Sequence, residues 1–353
     1  MLIKHATQSD VARVAGTSTA VVSYVVNGGP RPVAKETRKR VLDAIRKTGY
    51  RPNTLARALL TGKTSTLGVV VSDLGNPFLS GMVQCLEDEF FTRGYSLFVA
   101  DSHDDPWREK QIAEMMLSRQ VAGLVWYSVD QPPPADLVRD MRGPVVFLNA
   151  CEPIGGAGHE GRRISVLENE RTGTAGLTEE LIRRGCRRIG HLGGPQGRIN
   201  SAERARGWYE ALREKSGLDE SVFAGREGDT PESSPLYISA PYTHEGGWNA
   251  ADKFVDLGCD GIVASNEMQA VGILARFNRL GLRIPADISV VALHTTNYAP
   301  YTTPALSGMH VDLDGLAHSI ADAVFEQKDC SPIIPNAYFS ARESCAELRD
   351  ECR

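Results

Sequence analysis

Apolar positions follow one rhythm up to about residue 64 and a different one beyond it. In the first stretch they recur at helical spacing, and the polar residues between them supply start and stop signals. Ser9 is placed to cap a helix through Asp10-Val11-Ala12-Arg13-Val14-Ala15, with Asp10 in the first turn where the helix dipole favours an acid. Gly16 ends that helix, and Ser18 is placed to cap a second, Thr19 to Val26. Small Ala12, Gly16 at the turn, and inward Val22 and Val25 are what two short helices need to pack closely at an angle. A third helix is predicted from about Ala34 to Thr48. It carries Val41, Leu42 and Ile45 on one face, Arg38, Lys39, Arg40, Arg46 and Lys47 elsewhere, and Gly49 as its stop. Its cap position holds Ala34 instead of Ser or Thr, at a cost of about 1 kcal/mol.

After Thr66 short apolar runs alternate with helical stretches. Leu67 to Val71, Ser96 to Ala100, Gly123 to Trp126, Val145 to Leu148, Arg188 to Leu192, Leu236 to Ser239, Gly261 to Ala264 and Ile288 to Ala292 read as strands. The helices between them are predicted over Phe78 to Arg93, Gln111 to Ser118, Gly173 to Arg184, Ala202 to Ser216, Gly247 to Leu257 and Met268 to Leu280. This βαβ alternation implies parallel sheets covered by helices. The strands are too many for one compact lobe, so two lobes with a cleft between them fit best, and a ligand would sit at the carboxyl ends of the strands. A polar stretch from about Gly217 to Pro235 exceeds the usual connection length in such units.

Composition adds little until it is divided by position. Of 353 residues 42% are hydrophobic and 24% charged, which is the balance of a globular protein. No apolar run is long enough to span a bilayer, and Met1 to Asp10 lacks the apolar stretch of a secretory signal, so a cytoplasmic protein is expected, with no membrane partner. The seven cysteines are scattered and unpaired in spacing, as expected of reduced, mostly buried thiols. The net charge of −5 hides a division: Met1 to Thr64 carries twelve Lys and Arg against three Asp and Glu, a formal +9, and the remainder carries 27 against 41, or −14. A basic segment of this kind suits a polyanion, because clustered cations release the counterions condensed on nucleic acid.

Chemistry that would make the chain an enzyme is missing from the sequence. Thr61-Gly62-Lys63-Thr64 looks like the end of a phosphate-binding loop, but the position five residues before Gly62 holds Arg57 where that loop needs glycine. In Gly193-Gly194-Pro195-Gln196-Gly197, Pro195 removes an amide that a phosphate would use. There is no Gly-x-Ser-x-Gly elbow and no His-Glu-x-x-His, and Ser102-His103-Asp104-Asp105 reads as a solvated turn better than as a metal loop. No catalytic residue, metal or cofactor is expected.

The residues of the first stretch resemble the LacI/GalR family of the lactose-repressor type. Asp10-Val11-Ala12, Ala15-Gly16, Ser18, Val22-Ser23, Val25-Val26-Asn27 and Gly49-Tyr50-Arg51-Pro52-Asn53 before Ala56-Arg57-Ala58-Leu59 carry the likeness. It implies an all-α helix-turn-helix DNA-binding head in which Thr19, Ala20 and Tyr24 face base edges in the major groove while Ser18, Ser23 and Asn27 hold the backbone. Many members have Arg at the place of Tyr24, so the half-site should differ there. Asn53 to Leu59 resembles the family's hinge helix, with Asn53 and Ala56 on it and Leu59 pushed into a minor-groove step. So short a helix is marginal alone, which implies a homodimer on a palindromic double-stranded operator, with a tetramer left open.

Further motifs, Asn76-Pro77-Phe78, Gly194-Pro195, Arg204 with Gly207-Trp208, Asn266, Asp287 to Val291 and Thr303 to Leu306, extend the resemblance over nearly the whole chain. They imply an α/β, periplasmic-binding-protein-like core of two parallel-sheet lobes, a small-molecule effector in the cleft, and a chain that returns to the first lobe near Leu306 to Phe325. The domains implied are a head at 1–51, a hinge and linker at 52–65 and a core at 66–353, with a first lobe of about 66–165 and 300–325 and a second of 166–299 and 326–353. By the same resemblance Arg204 grips the effector, Asn149 and Asn266 offer amide groups, and Phe78 and Tyr242 stack on it. His294 stands where members responding to sugars and nucleosides usually have Asp, and Asn149 where Asp is frequent. Two missing carboxylates make the cleft better suited to an anionic or less hydroxylated metabolite, while the resemblance keeps a sugar-like one open. A regulator run by a protein co-regulator, and a solute-binding module without DNA function, are the alternatives.

Overall fold

Thr7 and Asp10 start the first helix together. Thr7 accepts from the Asp10 amide at 3.3 Å, and the Asp10 carboxylate accepts from the Thr7 amide at 3.0 Å, a reciprocal cap that opens α1 (Gln8–Ala15). The cap is therefore Thr7 and not Ser9, because only Thr7 has an acid three residues on to close the box. Gly16 then takes φ 63°, the left-handed conformation a side chain would strain, and turns the chain into α2 (Thr19–Asn27), whose Val21 amide donates to Ser18 Oγ at 3.3 Å. α3 (Lys35–Thr48) begins at Ala34 with no side-chain cap. Val11, Ala12, Ala15, Val22, Val25, Val41 and Ala44 form one small core. Leu42, placed by its spacing on the inner face, is exposed instead, and Ala44 packs inward in its stead.

The structure is a computed structural model that describes residues 6–27, 31–51, 64–127, 135–150, 162–214, 230–326 and 332–347. It divides into two compact units, Met1–Thr64 and Ser65–Arg353. The second unit holds two sheets. The first has the order β2-β1-β3-β4-β5, all parallel, from β1 (Thr66–Val71), β2 (Ser96–Asp101), β3 (Leu124–Tyr127), β4 (Val145–Ala150) and β5 (Arg163–Leu167). The second has the order β11-β10-β9-β8-β6-β7, from β6 (Ile189–Gly193), β7 (Tyr237–Ser239), β8 (Gly261–Ala264), β9 (Ser289–Thr295), β10 (Ser307–Val311) and β11 (Ala337–Ser340). Only β11 runs antiparallel.

Helices α4 (Pro77–Thr92), α5 (Pro106–Ser118) and α6 (Ala135–Asp140) belong to the first lobe, and α7 (Glu170–Arg183), α8 (Ile199–Glu214), α9 (His244–Asp256) and α10 (Glu267–Leu280) to the second. β10 lies in the second sheet, so 300–311 are not part of the first lobe as the resemblance implied. The return is made by α11 (Leu313–Phe325), whose Leu316, Ala317, Ile320 and Ala321 join Leu79, Met82 and Leu86 in the first lobe's core, and by Ile333, which bridges to Val166 of β5, so the second lobe does not resume at 326 as the resemblance implied. The chain thus passes between lobes after β5, after β10 and again before β11. Strands β5, β10 and β11 are additions to the predicted set. Among the described residues Cys85, Cys186, Cys259 and Cys345 are free thiols, and Cys151, Cys330 and Cys352 lie outside them.

Candidate functional site

On α2, Val22 and Val25 are buried while Thr19, Ala20 and Asn27 are exposed and Ser23 and Tyr24 are half-buried. At about 100° per residue the last five fall on one side of the helix, opposite the two valines. Asn27 Nδ2 donates to Ser23 Oγ at 3.2 Å, which orders that polar face. The hinge residues Asn53, Ala56 and Leu59 and most of the 217–235 stretch lie outside the described residues.

In the core, strand ends from both lobes converge on a cavity of about 470 Å³. Phe78, Asn149, Arg204, Tyr242, Asn266 and His294 all line it. Two of them are aimed by the same device. β4 slips register against β5 between Phe147 and Ala150, and β9 slips against β10 between Ala292 and Thr295, so that each strand carries one extra residue there. Asn149 and His294 sit in these bulges at φ 51° and 52°, in the left-handed region that Asn and His tolerate better than most side chains. The helix starts fix two others: Asn76 accepts from the Phe78 amide at 3.0 Å, and Asn266 accepts from the Gln269 amide at 2.9 Å while donating to the Tyr242 carbonyl at 3.2 Å. Asn266 therefore has one N–H and one lone pair left to offer.

Gly207 lets α8 lie directly on α7, since a Cβ there would run into the Arg171 carbonyl. This close packing sets Arg204 on α8 against Glu170 in the first turn of α7. Both are 3% exposed, and they pair through two parallel bonds, Nε to Oε2 at 2.7 Å and Nη2 to Oε1. Arg204 Nη1 also donates to the Ser265 carbonyl at 3.1 Å, and the guanidinium lies 5.3 Å from the centre of the Tyr242 ring. Arg204 and Tyr242, each expected to meet an effector, thus meet each other, and Arg204 is already gripping a carboxylate of its own chain. Burial opposes the guanidinium's charge, and Glu170 more than offsets it.

His294 Nδ1 is 3.5 Å from Arg204 Nη2. Because a guanidinium only donates, Nδ1 must accept, which leaves the ring proton on Nε2. The imidazole also stacks on Phe78 of the opposite lobe, ring centres 4.4 Å apart and planes 13° from parallel. A second link crosses the cleft where Arg198 meets Asp104 at 2.9 Å. Burial lowers His294 to about 4, with Arg204 acting in the same direction.

The two carboxylates that the sequence lacks at 149 and 294 are replaced from elsewhere. Glu170 and Glu168 lie beside His294, and Glu267 lines the cavity, its carboxylate bonded to the Thr296 amide and, at 3.1 Å, to the Thr296 hydroxyl. The premise for an anionic ligand fails on this count. Nothing in the linear pattern marked Glu170, which stands 34 positions before Arg204. Its one local signal was an acid at the start of a helix. Oxygen and nitrogen atoms of Glu168, Glu170 and His294 come within 4.8 Å of one another, but Arg204 occupies the same cluster and its charge would repel a metal cation.

Burial, with Glu170 beside it, pushes Glu168 up to about 8 from its ordinary 4.5. A raised carboxyl stabilises the fold fully below pH 4.5 and loses that contribution as pH climbs to 8. His294, lowered from 6.5, acts in the opposite sense between pH 4 and 6.5. From pH 6.5 to 8 only the Glu168 effect operates within this cluster, so unfolding free energy should fall there by roughly 1–2 kcal/mol. Urea melts of Glu168→Gln should show a flatter profile in that window; an unchanged slope would rule the assignment out.

Residues 7–53 match the model described as bacterial regulatory proteins, lacI family, and residues 178–344 match that of a periplasmic binding protein-like domain. The chain is 30% identical over 307 residues to the HTH-type transcriptional repressor PurR of Aliivibrio salmonicida, covering 86% of this chain and 87% of that one. It is 29% identical over 332 residues to the HTH-type transcriptional regulator GalR of Escherichia coli, covering 93% and 91%. Among solved structures, the lac repressor dimer bound to operator and the anti-inducer ONPF superposes with a TM-score of 0.80 at 22% identity, over 98% of this chain and 100% of that one, and so shares the fold. Head, core and whole-length similarity agree, and the chain belongs to the lacI family of bacterial regulatory proteins, as a DNA-binding regulator of transcription.

Proposed function

We propose that the protein is a repressor that grips a palindromic operator as a homodimer and is switched by a small molecule in the cleft of its core. The observation that carries this reading is the outward face of α2, Thr19, Ala20, Ser23, Tyr24 and Asn27, on a head with a formal charge of +9. Thr19, Ala20 and Tyr24 read bases, Ser18, Ser23 and Asn27 fix the backbone, and Asn53, Ala56 and Leu59 form the hinge. The relative named as the ribose operon repressor of Escherichia coli, and the solved complex of a CelR regulator with cellobiose, support a compact metabolite as effector.

Closure is already linked across the cleft by Phe78 on His294 and by Arg198 on Asp104. A ligand that strengthens or breaks these contacts shifts the population of lobe arrangements, and through it the pairing of hinges in the dimer. The site binds and does not react: its histidine is neutral and stacked, and its Glu170 is tied to Arg204. No described helix is long and apolar enough to cross a membrane, and a protein that works on DNA belongs in the cytoplasm.

Selection from random duplex oligonucleotides should return an inverted repeat. Tyr24→Ala should relax one base position in each half, by about 1–3 kcal/mol of discrimination. No enriched sequence, or a monomer by ultracentrifugation at working concentration, would overturn the reading in favour of a solute-binding module. Operator affinity that answers only to a protein fraction would favour a co-regulator.

A further inference from the structure

The charges around the cleft are balanced from within. Arg204 is held at two points by Glu170 and at a third by the Ser265 carbonyl, with the Tyr242 ring over its face, so its fork has no pair of N–H groups facing outward. The other cation on the lining, Arg198, is paired with Asp104. His294 turns an acceptor toward Arg204, as a neutral ring does. Glu168, 8% exposed, stands beside Glu170 and His294 with Oε2 making no hydrogen bond among the described residues. An entering anion would have to evict a buried carboxylate from Arg204 while facing Glu267 on the lining. A neutral molecule need do neither, and can use the spare amide positions of Asn266.

We propose that Glu170 is a specificity-determining residue: it acts as the built-in counter-ion of Arg204, closes that fork to carboxylates and phosphates, and restricts the cleft to uncharged, hydrogen-bonding ligands. The inference rests on the cleft being the effector site. It assigns Glu170 a role in selection, whereas a merely structural ion pair would leave anion affinity unchanged when altered.

The test is calorimetry of the full-length protein with inorganic phosphate at constant ionic strength, beside the uncharged and phosphorylated forms of one compound, ribose with ribose 5-phosphate and adenosine with AMP. The unaltered protein should show no saturable phosphate binding and should favour no phosphorylated form over its parent. Glu170→Gln, which keeps shape but drops the charge, should gain phosphate affinity by at least about ten-fold, and adding Arg204→Met should abolish the gain. Where the Gln variant fails to fold, Glu170→Asp withdraws the carboxylate by one methylene and should give a smaller gain of the same sign. Phosphate binding by the unaltered protein, a phosphorylated form held more tightly than its parent, or folded variants with no gain would each overturn the proposal. If phosphate binding appears in Glu170→Gln as expected but no cleft ligand changes operator affinity, the counter-ion role stands and the effector reading falls.

Discussion

Arg204→Ala is expected to lower the unfolding free energy of the core by about 3–5 kcal/mol, enough to remove much of the stability of an ordinary domain. The loss comes less from the attraction given up than from what stays behind. Glu170 would keep its carboxylate 3% exposed with no cation against it, and the Ser265 carbonyl would lose its donor. Replacing both partners by apolar residues of similar volume, Arg204→Met with Glu170→Leu, should cost far less than the single change, since no charge is then stranded. Chemical denaturation followed by circular dichroism measures both. A double variant as unstable as Arg204→Ala would show that packing, and not the stranded charge, sets the cost.

Affinity for operator DNA is expected to fall by at least about a thousand-fold between 50 and 200 mM salt, the response of a protein that neutralises six to ten phosphates. The twelve basic residues of Met1 to Thr64, against three acids, supply that many contacts readily when two heads bind. The linear slope of log affinity against log salt, read by fluorescence anisotropy, counts the counterions released. A flat response would mean that the head does not engage the phosphate backbone.

Much of this was legible in the order of residues. Gly16 and Gly49 mark the ends of their helices because each takes a left-handed conformation, and Val22 and Val25 face inward as their spacing requires. The first cap was misplaced because Thr7 and Ser9 are both capable of it, and only the acid at Asp10 separates them. Leu42 is one step, about 100°, round the helix from buried Val41, too far to share its face. The short edge strand β11 has no buried run to announce it, since Ala337 and Tyr338 are exposed. The six cleft residues came from resemblance, and the structure brings all six around one cavity. What could not be foreseen is how they are used. An ion pair between Glu170 and Arg204 exists only once two helices pack, and no local pattern encodes that.

The paired bulges at Asn149 and His294 narrow what these two positions can become. A backbone at φ near 50° admits Asn, Asp, His and Gly with little strain and resists Val, Ile and Thr. The vocabulary available for retuning the cleft there is thus a handful of small polar letters and one ring. A lineage shifting toward a bulkier or greasier effector would have to write the change elsewhere, at ordinary helical sites such as Phe78, leaving both kinks in place.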